Sequence, residues 1–247
     1  MKRLLAIDIG NTNTALGFFN KNSLLKKSSV KTERISIEML KKDIASYKPE
    51  EIIVCSVVPQ ATKRILKILK GLTGKKAQVI GKEIVVPIIN RYRKPQEVGQ
   101  DRLINAFAAI QIYGTPAVII DFGTAVTFDI VSKQKEYLGG MILPGLNISL
   151  KALSKRTALL PKVKLSKPKD FIGRDTRNSM LSGIVFGFSS LTDELITRIK
   201  KIVGKRAVSI LTGGNSKLIF DYCRNLDIKD EDLTLKGIAM LKNKKNT

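Results

Sequence analysis

Three carboxylates in this chain stand where they could handle phosphate. Asp8 closes an apolar, strand-like run within residues 4–19, LLAIDIGNTNTALGFF; Gly10, Asn11 and Thr12 follow, and a second apolar run leaves through Ala15. The pattern predicts a β-hairpin whose tip carries a carboxylate, a glycine and several hydroxyl or amide groups. Gly10 lets the backbone approach an anion, exposed N–H groups and the hydroxyls of Thr12 and Thr14 can donate to its oxygens, and Asp8 can hold a cation against the charge. The same residues also read as a tight hairpin whose Asp and Asn cap their own backbone.

A second copy of the idea lies downstream. Residues 117–131, AVIIDFGTAVTFDIV, form another apolar run, with Asp121, Gly123 and Thr124 at the turn and a strand leaving through Val126 and Phe128. From position 8 to position 121 is close to half of the 247-residue chain. Two similar phosphate-type hairpins, one opening each half, predict two related domains facing one another across a nucleotide.

The third carboxylate, Asp101, lies between the halves. Pro95 and Gly99 mark a loop, and Leu103, Ile104, Phe107, Ala108 and Ile110 give a helix packed on one face, so Asp101 falls at a helix start. It reads as an N-cap, or as a carboxylate at a domain junction with Arg102 beside it to meet an anionic substrate. The chain contains no histidine, so a general base must be a carboxylate or another non-imidazole group. That excludes serine–histidine and cysteine–histidine hydrolase schemes and makes Asp101 the candidate base.

The elements that must position these groups alternate. After the first hairpin a strand is expected at 23–30, a helix at 35–47 ended by Pro49, a buried strand at 51–58, a helix at 59–72 and a strand at 77–80, a mixed-sheet α/β order. The second half repeats the plan with insertions. YLGGMILPGL at 137–146 supplies close backbone approach and a turn; then come a helix at 148–159, a basic extended stretch at 161–169, a loop FIGRDTR at 171–177 and a long helix from about 178 to 202. VSILTGGN at 208–215 is a strand delivering Gly213-Gly214 to a helix start, a way to meet a nucleotide or a plain βα turn. A last helix follows LTLKG at 233–237, with Lys242 to Lys245 as a basic tail.

Composition bounds the reading. No apolar run approaches the ~20 residues of a membrane-spanning helix, and Met1-Lys2-Arg3 leads straight into a strand, so a soluble, cytoplasmic protein is expected. Cys55 and Cys223 are the only cysteines and read as reduced, buried thiols. Against 21 acidic residues stand 44 Lys and Arg, a formal charge of +23, which raises nucleic-acid binding. The lysines are scattered through helical segments, aromatic content is 6%, and no zinc spacing or compact basic arm occurs, so solvated surface is expected instead.

Taken together, the chain resembles the type III pantothenate kinases, members of the acetate and sugar kinase, Hsp70 and actin superfamily. The matching pieces come in family order: DIGNT from Asp8, the tyrosine of RYRKP at Tyr92, GQDR from Gly99 to Arg102, DFGTAVTFD from Asp121, YLGGMILPGL, the G-x-D-T ending at Thr176, TGGN and LTLKG. The resemblance implies two similar mixed-sheet α/β domains of the actin-like ATPase (ribonuclease H-like) type around a central cleft, divided as 1–115 and 116–247. It implies a transferase that phosphorylates pantothenate with ATP, the first step of coenzyme A biosynthesis. Asp8, Ile9, Gly10, Asn11, Thr12, Asn13, Thr14 and Ala15 would line the ATP phosphates, and Thr124 would contact ATP. Asp121 would hold a monovalent cation, potassium or ammonium, alongside Mg²⁺. Tyr92, Gly99, Gln100, Asp101, Arg102 and Thr176 would bind pantothenate, with Asp101 taking the hydroxyl proton. Asp175 stands where the family commonly shows Asn, which leaves Thr176 in place but the local hydrogen bonding open. A homodimer packed through the long helix is also implied. The alternatives are a kinase for another small hydroxylated substrate and a non-catalytic regulatory relative.

Overall fold

A computed structural model describes residues 3–242. In chain order the elements are β1 (Arg3–Ile9), β2 (Asn13–Asn20), β3 (Ser23–Lys31), α1 (Ile37–Tyr47), β4 (Glu51–Ser56), α2 (Pro59–Thr73), β5 (Gln78–Val79), β6 (Ile89–Asn90) and α3 (Gln100–Ile112). They continue as β7 (Ala117–Phe122), β8 (Ala125–Val131), β9 (Glu136–Pro144), α4 (Leu146–Arg156), α5 (Thr176–Val203), β10 (Val208–Thr212), α6 (Ser216–Ile219), β11 (Ile228–Lys229) and α7 (Leu233–Leu241). Two compact units result. One comprises the described residues up to Ile88, Arg93–Ala108 and those from Leu233; the other comprises Ile89–Tyr92 and Ala109–Asp232.

The first unit holds a sheet of order β3-β2-β1-β4-β5. β1, β2 and β3 pair antiparallel, while β4 and β5 add on the other side in parallel. On one face Leu5, Ile7, Ile9, Leu16 and Phe18 pack with Leu40 and Ile44 of α1 and Ala61, Ile65 and Leu69 of α2. These helical positions recur at a spacing of four, which puts them on one stripe. Pro59 opens α2 at a position that needs no N–H donor, and Gly74, at φ 67°, closes it by donating its N–H to the Lys70 carbonyl (2.9 Å). The opposite face is covered by α7, which packs on β1, β2 and β4.

The second unit repeats this plan as β11-β10-β7-β8-β9, with β6 added beside β9. β7, β8 and β9 form the antiparallel meander and β10 and β11 the parallel extension. Val118, Ile120, Phe122, Val126 and Phe128 pack with Leu146 and Leu150 of α4 and with Met180, Leu181, Ile184, Val185, Ile196 and Ile199 of α5. Two mixed sheets with flanking helices bear out the α/β expectation.

Several details differ from the sequence expectations. α4 begins two residues early, at Leu146, because Gly145 occupies the N-cap, and α5 begins at Thr176 because Asp175 caps it. The expected strand at 77–80 narrows to Gln78–Val79, with Ile80 bridging to Ile84. α7 counts with the first unit although it ends the element order. Cys55 is buried, but Cys223 is only half-buried, and both are free thiols. Of the expected basic tail, Lys242 lies 3.9 Å from Glu51; the rest falls outside the described residues. No helix among the described residues is long and apolar enough to cross a membrane.

Candidate active site

In the first unit the hairpin tip is held from beneath. The Gly10 N–H donates to the Asn13 carbonyl (3.0 Å), closing the turn, and Asn11, Thr12 and Asn13 are exposed. Thr32, one residue past β3, donates its hydroxyl to the Gly10 carbonyl (2.7 Å) and its N–H to the Thr12 carbonyl (3.1 Å). Its hydroxyl also lies 3.0 Å from that of Thr14. Thr12 is thus displayed at the tip, whereas Thr14 is fully buried and braces the turn through Thr32.

Asp8, half-buried near the end of β1, stands in register with Cys55 of the parallel strand β4. Just past β4, Val57 donates its N–H to Ile9 (3.2 Å), and its side chain lies 3.8 Å from where a Cβ on Gly99 would be. The start of α3 is therefore placed at the same sheet end as the hairpin. Asp101 is not the N-cap of α3, because the helix begins at Gln100 and Arg102 and Leu103 donate to the Gly99 carbonyl (3.1 and 3.3 Å). Its carboxylate folds back and accepts the Arg102 N–H (2.9 Å), passing so close to residue 99 that a Cβ there would lie 2.4 Å from Oδ1. Only glycine leaves room for that return. Gln100 packs its side chain over Gly81, where a Cβ would meet it at 2.9 Å.

Burial pushes the Asp101 carboxyl above the ordinary aspartate range, against the opposing pull of the Arg102 N–H and guanidinium. Arg102 itself is 7% exposed. Burial likewise raises the Cys55 thiol, and the charges of Asp8 and Asp101 raise it further, so both carboxylates are within electrostatic reach of one sulfur. The first unit thus gathers Asp8, the hairpin tip and Asp101 around the ends of β1 and β4.

In the second unit the tip at Gly123-Thr124 is cradled by two glycines. A Cβ on Gly213 (φ 93°) would lie 2.2 Å from Oδ1 of Asp121 and 2.7 Å from the Phe122 backbone. Asn215 donates its N–H to the Phe122 carbonyl (3.0 Å), tying the TGGN turn to the hairpin. On the other side a Cβ on Gly145 would lie 2.1 Å from the Thr124 carbonyl, so the start of α4 abuts the tip. α6, which follows the TGGN turn, has only four residues. Asp121 is half-buried and Thr124 exposed.

Tyr92 donates its N–H to Asn90 Oδ1 (3.0 Å), and its ring lies over Gly139 (φ 116°), 3.2 Å from a hypothetical Cβ. Thr176 is exposed in the first turn of α5, and Asp175 accepts from both the N–H (2.8 Å) and the side-chain amide (2.5 Å) of Asn178. That cap is the local hydrogen bonding left open by Asp175. Sequence reasoning missed a buried cluster behind the second hairpin: Tyr137 donates its hydroxyl to Asp129 Oδ1 (2.8 Å) and Thr127 donates to Oδ2 (3.2 Å). Its signal was present, because 121, 127 and 129 alternate with Phe122, Val126 and Phe128. Thr32 carried no such signal, being separated from the hairpin tip by two strands.

Two mixed sheets of one topology, each with a carboxylate and a glycine-bearing turn at the end of its central strand, define the actin-like ATPase and sugar kinase class of fold. Two solved structures share it: a Baf family protein from Campylobacter jejuni (TM-score 0.62, 22% identity, 97% of each chain) and the Lmo2764 protein of Listeria monocytogenes (TM-score 0.56, 12% identity, 99% of this chain and 100% of that one). The chain belongs to the type III pantothenate kinase family, whose model matches residues 4–198. A type III pantothenate kinase of Finegoldia magna is 40% identical over 253 residues, covering 96% of both chains. One of Sulfurihydrogenibium sp. is 38% identical over 248 residues, covering 96% of this chain and 98% of that one.

Proposed function

We propose that the protein transfers the γ-phosphoryl group of ATP to the primary hydroxyl of pantothenate, giving 4′-phosphopantothenate and ADP. The observation that carries this reading is the Asp101 carboxylate folded back over Gly99 at the sheet end that bears the first phosphate hairpin, where burial raises its proton affinity. A carboxylate with increased proton affinity is the better base for an alcohol proton. As the hydroxyl oxygen bonds to the γ-phosphorus, its proton passes to Asp101 and the bond to the β-phosphate oxygen breaks.

The other roles follow from position. Residues 8–15 line the ATP phosphates, with N–H groups of the exposed tip and the Thr12 hydroxyl as donors and Thr14 supporting the turn, and Thr124 contacts ATP. The two hairpins fall one in each half, 1–115 and 116–247. Tyr92, Gly99, Gln100, Arg102 and Thr176 hold pantothenate, with Arg102 toward its carboxylate. Asp121, with glycine rather than side chains crowding its Oδ1, suits a monovalent cation, potassium or ammonium. That cation and Mg²⁺ would supply neutralisation of phosphate charge.

We assign the enzyme to the cytoplasm and to a homodimer packed through α5. Gly183, Gly187 and Leu191, spaced one turn apart, line an exposed strip of that helix, and nothing lies within 4 Å of a Cβ at either glycine. The test is ADP release from ATP and Mg²⁺, with and without pantothenate, in potassium and in sodium buffer, for wild type and Asp101→Asn. Pantothenate- and potassium-dependent turnover that collapses in the variant is expected. No pantothenate-dependent turnover in wild type overturns the substrate, and an active variant overturns the base.

A further inference from the structure

Asp129 is a carboxylate with no exposed surface, on strand β8 behind the second hairpin. Burying a carboxylate is costly unless its oxygens are matched by donors, and here the hydroxyls of Tyr137 and Thr127 supply one each. Both partners lead to functional ground. Thr127 is the direct antiparallel neighbour of Asp121, so the two side chains share one face of the sheet, Cβ to Cβ about 5 Å apart. Tyr137, itself without exposed surface, pairs with Asn90 of β6, and its carbonyl accepts the Arg91 N–H (2.9 Å), one residue before Tyr92.

A hydroxyl has one proton and two lone pairs. Thr127 gives its proton to Asp129, so it presents only lone pairs elsewhere. We propose that Asp129 is a positioning residue that fixes the Thr127 hydroxyl as an oxygen acceptor beside Asp121, where it adds to the affinity for a monovalent cation and hence for the nucleotide. The inference rests on the cation role given to Asp121 above. Asp129→Asn replaces one of the two carboxylate oxygens with an NH₂ group, so the two hydroxyls no longer each find an acceptor oxygen. With its NH₂ toward Thr127, the threonine proton turns away, toward Asp121, and opposes a cation there.

Calorimetric affinity for a non-hydrolysable ATP analogue, in potassium and in sodium chloride, tests this without turnover. Wild type should bind more tightly in potassium; Asp129→Asn and Thr127→Val should lose about 10-fold of that advantage, the usual scale for a group behind an ion's ligand, and Thr127→Ser should retain it. A carboxylate with a purely structural role would lower the melting temperature and leave the potassium-to-sodium ratio unchanged. That result, or equal wild-type affinity in the two salts, overturns the proposal. If Asp129→Asn does not fold, the Val and Ser variants at position 127 decide it. Pantothenate-dependent ADP release by wild type tests the kinase reading separately, and its absence beside an intact potassium effect leaves the positioning role standing.

Discussion

Thr32 donates its hydroxyl to the carbonyl oxygen of Gly10 across 2.7 Å, from a point 22 residues further along the chain. With Thr14 beside it, Thr32 forms a buried hydroxyl pair under the phosphate hairpin, so the shape of the tip depends on groups that never reach the surface. Thr32→Val should cost about 1–3 kcal/mol, because it leaves buried partners unmatched, and should weaken nucleotide binding. Adding Thr14→Val removes the hydroxyl that Thr32→Val leaves orphaned, so the double variant should lose less than the sum of the singles. Urea denaturation of the three variants checks the order; strict additivity would mean that the hydroxyls act independently.

The second hairpin should be more sensitive to volume. Gly213→Ala places a Cβ 2.2 Å from Asp121 Oδ1 at φ 93°, so both the carboxylate and the backbone must move. A loss of about 1–3 kcal/mol from the backbone conformation alone is expected, together with a loss of nucleotide affinity. Gly214→Ala, where nothing lies within 4 Å, is the control and should keep that affinity.

Asp101 should trade stability for reactivity. Its folded carboxyl holds a proton more tightly than in the unfolded chain, so the native state is favoured below the unfolded value, and that contribution is lost as pH rises through the folded value. Asp101→Asn should therefore raise the melting temperature at pH 7–8, with the difference shrinking as pH falls through the raised folded value toward the unfolded value of about 4. In wild type the acidic limb of kcat/KM should bend above the ordinary aspartate range. A variant less stable than wild type at neutral pH would contradict the burial argument.

Neither thiol should react in the native protein. Burial raises the Cys55 thiol well above its usual value and pushes Cys223 up to about 12, so little thiolate exists near pH 8. Mass spectrometry after brief alkylation should find both unmodified in buffer and both modified in denaturant.

Asp175→Ala should remove the cap of the 28-residue helix α5 and cost about 1 kcal/mol, a fall of about 2–4 °C for a chain of this size. Asp175→Asn, which keeps an oxygen for the Asn178 N–H, should cost only a few tenths of that amount. Thermal melts of the pair separate the capping hydrogen bond from the charge.

The hairpins were legible because Asp8 and Asp121 each end an apolar run at a glycine-bearing turn, a signal contained within a few neighbouring residues. Strand alternation is equally local, and it sets the positions of Asp121, Thr127 and Asp129. Thr14 was harder, since only the position of Thr32 decides whether its hydroxyl turns outward or inward. Asp101 was found from the absence of histidine and its place at a helix start, yet its return over Gly99 depends on a one-residue shift of that start. The reach of Gly213 and Gly145 against the second tip joins segments far apart in sequence, which no local pattern records.

The packing of α7 on β1, β2 and β4 has a consequence for synthesis. These strands are translated well before the helix that covers one of their faces, which is the last element of the order. Gly17 of β2 waits for Leu235, whose side chain lies 3.3 Å from its hypothetical Cβ, and Ile104 of α3 waits for Gly237. Until then an apolar sheet face, including Leu4, Ala6 and Ile53, has no lid, and the nascent chain carries an adhesive surface that a holding chaperone would recognise. A stop codon before Leu233 would therefore strike the first hairpin, more than two hundred residues from the lesion.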